Sequence, residues 1–187
     1  MSFLGRRNPS SEATPVLDSG TRINNRTDVL ETVEALRLPR EHMVVVGSSA
    51  LTLMGLPRRA NDLDVLLDPE ALDELHQSGT LPGGIAVTET SASRPGRLHL
   101  QANTHPLPSE LLSHNTSSDP GEFKHFAKHR TILSPDGLLL ISPYELLKTK
   151  QMPVRIGDRS DQTRRIKLAQ DAYDANLLGQ YLYPTRR

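Results

Sequence analysis

A short apolar run that ends in glycine and is followed by two aspartates constrains the fold more than any other feature of this sequence. Residues 43–46 are all apolar and three of them are valine, which predicts a strand buried on both faces. Gly47 ends this run, and Ser48 is placed to cap a following helix. Asp62 and Asp64 then open a second apolar run. We therefore expect a strand, a tight turn into a helix, and a second strand that begins with two carboxylates.

The glycine turn has the chemistry of a phosphate site. Without a Cβ atom, Gly47 lets the backbone N–H groups of the turn face outward. The N-terminus of the following helix adds partial positive charge, and the hydroxyls of Ser48 and Ser49 can donate further hydrogen bonds. We therefore predict that Gly47, Ser48 and Ser49 bind phosphate.

Asp62 and Asp64 are the candidate metal ligands. Residues two apart on a strand share a face, roughly 6–7 Å apart, so both carboxylates point the same way while Leu63 turns to the core. Mg²⁺ prefers oxygen ligands and usually binds one or two carboxylates together with substrate phosphates. The pattern predicts a Mg²⁺ site, with Mn²⁺ as an alternative ion, that holds a nucleoside triphosphate (NTP) against the glycine turn.

This arrangement resembles the polymerase-β-like nucleotidyltransferase superfamily, whose pattern is an apolar strand, Gly-Gly or Gly-Ser, and then a strand with paired aspartates. The stretch from Gly47 to Leu67 is most similar to the AbiEii-type toxin nucleotidyltransferases of type IV toxin–antitoxin systems. These toxins carry a lysine-bearing helix, an Arg-rich stretch and an Asp-x-x-Asp helix after a Ser-Pro pair. Here the corresponding residues after Ser142-Pro143 are Lys148, Lys150, Arg159, Asp171 and Asp174.

The resemblance implies an enzyme that transfers a nucleoside monophosphate from an NTP to a hydroxyl and releases pyrophosphate. It assigns Asp62 and Asp64 to catalysis through the metal and the glycine turn to the triphosphate. Lys148 or Lys150 would pair with phosphate charge, and Arg59 would either brace the aspartates or touch phosphate. The expected acceptor is tRNA or a protein hydroxyl, and the expected partner is a cognate antitoxin.

A third carboxylate, which this superfamily usually supplies from a later strand as general base, has no evident candidate. The strand predicted at residues 97–101 presents His99 and Gln101 on its outward face. Three alternatives stay open: Glu89 on the preceding strand supplies the carboxylate, His99 replaces it as the catalytic base, or the site is inactive.

Two other functions compete with the toxin hypothesis. One is an antibiotic nucleotidyltransferase of the aminoglycoside or lincosamide type, and the other is an inactive family member that works as a binding module. The 22 Lys and Arg balance the 22 Asp and Glu, so overall charge gives no argument for nucleic-acid binding. The local basic segment at 155–167 could contact RNA phosphates and argues against a pocket for a cationic drug.

The predicted fold class is α+β: a nucleotidyltransferase fold with a small mixed β-sheet flanked by helices and a helical C-terminal part. We expect a flexible tail at 1–25, the nucleotidyltransferase core at 26–141 and the helical part at 142–187. Residues 102–130 are expected to form a loop with one or two short helices. The last helix is predicted from about Ser160 to Leu178, with the following residues on its buried face: Ile166, Leu168, Ala169, Tyr173 and Leu177.

Several classes of protein are excluded by what the sequence lacks. The chain has no cysteine, which rules out disulfides, thiolate zinc sites and cysteine nucleophiles. It has no run of about 18 apolar residues, so we expect no membrane span and no membrane partner. No apolar segment follows the two arginines near the N-terminus, as a secretory signal would require, and the expected location is the cytoplasm.

Overall fold

The computed structural model describes residues 24–93, 97–113, 120–156 and 162–184. The predicted tail therefore lies outside the described residues except for Asn24 and Asn25. Both of these asparagines are tied to the loop after the second helix, because the Asn24 amide donates to the carbonyls of Thr52 and Leu56. Asn25 exchanges hydrogen bonds with the backbone of Ala60. These two residues are thus held by hydrogen bonds, and the boundary of the tail stays a prediction.

Helices and strands alternate through much of the chain. In chain order the elements are α1 (Arg26–Leu36), β1 (Met43–Val45), α2 (Gly47–Leu53), β2 (Leu63–Leu67), α3 (Pro69–Ser78), β3 (Val87–Glu89), β4 (His99–Ala102), β5 (Ser109–Ser113), α4 (Pro120–His129), β6 (Thr131–Leu133), β7 (Leu139–Ile141), α5 (Pro143–Ile156) and α6 (Gln162–Leu182).

The seven strands form one mixed sheet in the order β3-β4-β5-β2-β1-β7-β6. The pairs β2/β5 and β1/β7 are parallel, whereas the other neighbours are antiparallel. The predicted α+β class, with a mixed sheet, flanking helices and a helical C-terminal part, is confirmed.

The two central strands, β1 and β2, differ in how they are buried. All three residues of β1 are buried, as expected for a strand covered on both faces. In β2, burial alternates: Leu63, Val65 and Leu67 are fully buried, whereas Asp64 and Leu66 are only partly buried. One face of β2 therefore packs into the core and the other presents Asp64.

The helix after β1 begins two residues earlier than predicted from a cap at Ser48. Val46 occupies the cap position and Gly47 is the first helical residue, with a left-handed φ of 62°. Ser48 is therefore inside the helix, and the prediction that it caps α2 is wrong. At α5 the predicted start is confirmed, since the Glu145 N–H donates to the Ser142 hydroxyl at 3.3 Å.

The region predicted as a loop at 102–130 contains a central strand of the sheet. Strand β5 pairs in parallel with β2 on one side and antiparallel with β4 on the other. The segment is short and begins and ends with serine, so its local pattern is weak. Its strand conformation depends on partners that are distant in sequence, which local patterns do not reveal.

Helix α6 packs with a different face from the one predicted. Ile166 and Tyr173 are 55% and 49% exposed, whereas Asp171, Asp174 and Leu178 are buried. The prediction failed because the inward face carries paired charges, which hydrophobic periodicity does not detect. Leu178 belongs to the same core cluster as the sheet residues. The boundary predicted at residue 142 stays a prediction.

In the part of the chain that the structure describes, every helix is too short or too polar to cross a membrane.

Candidate active site

Three carboxylates meet on the exposed face of the sheet at the start of β2. Asp64 and Glu110 are direct cross-strand partners in the parallel pair β2/β5. Such partners point to the same face, and Asp62 immediately precedes β2 on that side. The structure thus brings together the two predicted metal ligands and a third carboxylate.

The electrostatics of Asp64 reflect this crowding. Burial, together with the negative charges of Asp62 and Glu110, raises the pKa of Asp64 from 3.8 to about 7. Lys150 and Lys167 act in the opposite direction through their positive charges. The ionised carboxylate is therefore unfavourable here, and a nearby cation would stabilise it.

The glycine turn is pressed against Asp64. The Asp64 carbonyl accepts a hydrogen bond from the N–H of Val46 at 3.0 Å. A Cβ atom on Gly47 would lie 2.0 Å from Oδ2 of Asp64, which no side chain can tolerate. Ser49 is fully buried and donates its hydroxyl to the Asp62 carbonyl at 2.6 Å, while Ser48 is also buried. Through this hydrogen bond, Ser49 positions the chain at Asp62 and Asp64.

Glu110 is a candidate site residue that the sequence did not reveal. The alternative candidate, Glu89, is wrong because it lies on the other face of the sheet. Glu89 pairs with Leu100 on β4, and Leu100 pairs with Leu111 on β5, so these three side chains share one face. Glu110 pairs with Gln101 on β4 and therefore points to the opposite face. The side chain of Glu89 instead contacts His76 at 3.1 Å. In the sequence, Glu110 stands between Ser109 and Leu111, which are both buried in the structure. This alternation is typical of a strand, but it is short and lies in a segment that was predicted to be a loop.

His99 lies on the same face and next to Glu110. Its Nε2 atom is 3.2 Å from Oε2 of Glu110, although the geometry is not that of a hydrogen bond. With a carboxylate already beside Asp64, His99 is not needed as a substitute for the third carboxylate. The structure places it against that carboxylate instead.

Lys150 is the predicted lysine that faces the site. Its ammonium contacts Asp171 at 2.9 Å and Asp174 at 3.0 Å. Burial opposes the charge of Lys150, but its hydrogen bonds to these carboxylates and their negative charges raise its pKa above the usual value. The Arg58 guanidinium contacts Asp174 at 2.7 Å and so ties the loop before β2 to α6. We call these four residues the charged latch.

The other predicted phosphate ligands lie elsewhere. Lys148 is half exposed, contacts Glu145 at 3.1 Å and lies over the Tyr144 ring. Arg59 is exposed on the loop before β2. Arg159 lies outside the described residues. Lys167 was not singled out as a site residue, but it is exposed on α6 and acts on Asp64 through its charge.

The donor set at Asp64 fits a metal ion that arrives with substrate. Among the described residues, no group of three or more His, Cys, Asp or Glu side chains is arranged to hold a metal ion by itself. Mg²⁺ often takes only one or two carboxylates and completes its coordination with phosphates and waters. Asp62 and Asp64 supply that minimum, and burial together with the neighbouring carboxylates raises the pKa of Asp64, so a bound cation would stabilise its ionised form.

No protein-family model matches this chain, and no curated protein matches it. Among solved structures, the chain is similar to the crystal structure of the Megavirus polyadenylate synthase, with a TM-score of 0.41 and 11% sequence identity. The similarity covers 82% of this chain and 32% of the viral one, so this chain spans about a third of that protein. At this level of similarity, the assignment of a reaction depends on the geometry of the site.

Proposed function

We propose that the protein is a metal-dependent nucleotidyltransferase that moves a nucleoside monophosphate from an NTP to a hydroxyl group. The observation that carries this proposal is the position of Asp64, which lies against the Gly47 turn with Asp62 and Glu110 beside it. A divalent cation would offset the negative charge of this cluster and could bridge it to a triphosphate, whereas a neutral ligand would do neither.

Asp62 and Asp64 would hold Mg²⁺ or Mn²⁺, and the triphosphate would provide further oxygen ligands. When bound, the ion would neutralise phosphate charge and make the α-phosphorus more electrophilic. The turn at Gly47 carries no side chain, and this lets the Asp64 carboxylate lie directly against the turn whose backbone N–H groups would bind the phosphate. Lys150, which Asp171 and Asp174 hold in place, adds a positive charge that acts on Asp64.

Glu110 would act as the general base. It would accept the proton of the acceptor hydroxyl while the hydroxyl oxygen forms a bond to the α-phosphorus. The bond between the α-phosphorus and the bridging oxygen breaks at the same centre, and its electron pair leaves with pyrophosphate. Glu110 is partly exposed, as a base that meets an incoming hydroxyl must be.

The toxin role, the tRNA or protein acceptor and a cognate antitoxin are finer proposals that rest on the resemblance to AbiEii-type enzymes. Expression of the wild-type chain in a bacterial host should then arrest growth, whereas the Asp64→Ala variant should not. Normal growth together with resistance to an aminoglycoside or lincosamide would favour the antibiotic-modifying alternative. Under this proposal, Glu110, the cross-strand partner of Asp64, would supply the third carboxylate, and the inactive-member hypothesis would then lose its main support.

The decisive experiment supplies purified protein with each α-labelled NTP, Mg²⁺, total RNA and cell extract. We expect label to enter RNA or protein with the wild type but not with Asp64→Ala. Asp73→Ala, which removes an exposed aspartate on α3, is the matched control and should behave as wild type. Absence of label with all four NTPs, combined with no calorimetric binding of Mg²⁺–NTP, would contradict the proposal.

A further inference from the structure

Helix α6 presents an uncharged face to solvent along most of its length. We call it the outward face and define it by four exposed residues at helical spacing, which are Ala169, Tyr173, Asn176 and Gln180. Every other exposed residue between positions 169 and 181 is also Ala, Gln or Tyr. Since a helix rises 1.5 Å per residue, this surface without charge is about 20 Å long.

The charges of this part of α6 point inward instead. Asp171 and Asp174 are buried in the charged latch, and Leu178 packs into the core beside them. Ile166, one turn before the outward face, is exposed as well. A helix face that only water covers usually carries charged residues. Interface cores, in contrast, are poor in charge and rich in tyrosine, so the outward face has the composition of an interface.

Tyr173, near the middle of the outward face, is held in place before any partner binds. Its side chain is half exposed, and its hydroxyl donates a hydrogen bond to the Pro57 carbonyl at 3.4 Å. A side chain that is already ordered loses less conformational entropy on association. Tyrosine is also one of the residues that most often dominate binding energy. The centre of the outward face is therefore prepared for a protein contact.

The chemistry of the outward face suits a second copy of itself. Tyrosine hydroxyls and carboxamides both donate and accept hydrogen bonds, so each can pair with its own kind across a two-fold axis. RNA fits less well, because its phosphates require cations and residues 169–181 include no Lys or Arg. A partner that binds through charged groups would have to bury them here without a counter-charge.

The two ends of α6 favour an antiparallel pair. Arg164 and Arg165 lie in its first turn, whereas its last turn, which the structure describes, contains no basic residue. The C-terminus of a helix carries partial negative charge that a cation stabilises. In an antiparallel pair, these arginines lie near the C-terminal turn of the other copy. A parallel pair would instead bring the arginines of both copies together.

We propose that the outward face of α6 is a dimer interface, at which two copies of this chain pack antiparallel. The two-fold axis passes between Tyr173 and Asn176, so that Ala169 of one copy lies beside Gln180 of the other. This dimer does not depend on the proposed function. A face about 20 Å long and one helix wide is smaller than a standard interface of about 800 Å² per partner, so we expect a Kd in the micromolar range.

Sedimentation of the full-length protein from about 1 to about 500 μM measures the association. We expect the wild type to change from monomer to dimer over this range. Tyr173→Glu and Tyr173→Lys should each weaken the dimer at least about tenfold, because like charges then meet near the axis. Leu133→Glu replaces an exposed apolar residue on β6 and should dimerise as the wild type does. A wild type that stays monomeric, or dimers that only Leu133→Glu disrupts, would overturn the proposal.

Mixing the two charged variants distinguishes a lost contact from a damaged fold. Tyr173→Glu and Tyr173→Lys should associate with each other, because opposite charges then meet at the axis. Circular dichroism verifies that each variant keeps the helix content of the wild type. If both are folded and their mixture stays monomeric, residue 173 does not meet a second copy and the proposal fails.

The orientation is tested by disulfide formation, since the chain has no cysteine of its own. Ala169→Cys and Gln180→Cys are mixed as two copies that carry tags of different size. Antiparallel packing predicts disulfides between the two variants. Disulfides formed only between copies of the same variant would overturn the antiparallel arrangement.

Discussion

At the scale of single residues, Asp64 carries an unfavourable charge when no cation is bound. Its pKa in the folded chain is about 7, against 3.8 ordinarily, because burial and two neighbouring carboxylates oppose ionisation. The folded state therefore binds the Asp64 proton more tightly than the unfolded state does. The tighter binding of this proton stabilises the folded state. Its contribution to the free energy of unfolding is complete below about pH 4 and is lost as the pH rises towards about 7.

Replacing this carboxylate should stabilise the metal-free protein at high pH. One unit of pKa shift corresponds to about 1.4 kcal/mol, so Asp64→Asn should raise the free energy of unfolding at pH 8 by up to ~4 kcal/mol. The gain should shrink as the pH falls through 7 and vanish near pH 4. Urea unfolding across this pH range measures it, with the exposed Asp73→Asn as control. A loss of stability at pH 8 would refute the argument.

Gly47 is the second residue whose identity the site requires. Gly55 shares its left-handed backbone conformation, with a φ of 81°, but a Cβ there would meet no atom within 4 Å. Gly55→Ala should therefore cost about 1–2 kcal/mol of unfolding free energy from the backbone alone. Gly47→Ala should cost at least ~2 kcal/mol more, because its methyl group collides with Asp64. Chemical denaturation measures the free energy of unfolding of both variants, and the difference between them gives the cost of the collision with Asp64. Equal losses of unfolding free energy in the two variants would contradict the collision.

At the scale of elements, the charged latch joins three parts of the chain that each contribute to the site. Arg58 belongs to the loop before β2, Lys150 to α5, and Asp171 and Asp174 to α6. Asp174 is completely buried, so its charge is tolerated only because two cations contact it. The latch therefore fixes both the C-terminal helices and the chain that leads into Asp62.

Breaking one arm of the charged latch should be costly. Arg58→Met should lower the free energy of unfolding by roughly 2–4 kcal/mol, because Asp174 keeps only Lys150 as a cationic partner. The exposed neighbour offers a matched control, and Arg59→Met should change stability by no more than about 0.5 kcal/mol. Thermal and urea unfolding measure both variants. If both variants lost the same free energy of unfolding, the contact between Arg58 and Asp174 would not be what stabilises the packing of α6.

At the scale of the whole molecule, the order of strands decides which glutamate can serve as the base. Glu110→Gln should lower the rate of nucleotidyl transfer at least about 100-fold and leave NTP binding in place. Glu89→Gln, on the opposite face, should keep wild-type transfer. Single-turnover kinetics with labelled NTP measure the rates. The reverse pattern would mean that the base had been assigned to the wrong face of the sheet.

The sequence predicted the parts of the fold that depend on local signals. The sequence predicts strand β2 at residues 63–67, where the structure has it, because apolar residues flank Asp64. The Ser-Pro start of α5 was equally readable, since capping depends on neighbouring residues. By contrast, β5 and the inward face of α6 were missed, because a strand partner and a buried ion pair leave no local period in the sequence.

By itself, the sequence determined that Gly47 lies at a strand-to-helix turn and that Asp62 and Asp64 open the next strand, since both signals are local. Only the tertiary structure decided that Glu110 completes this group, that Glu89 does not, and that Lys150 rather than Lys148 faces it. The physical reason is that sharing a face of a sheet depends on register between strands far apart in the chain. That register is set by packing of the whole core, which no local pattern specifies.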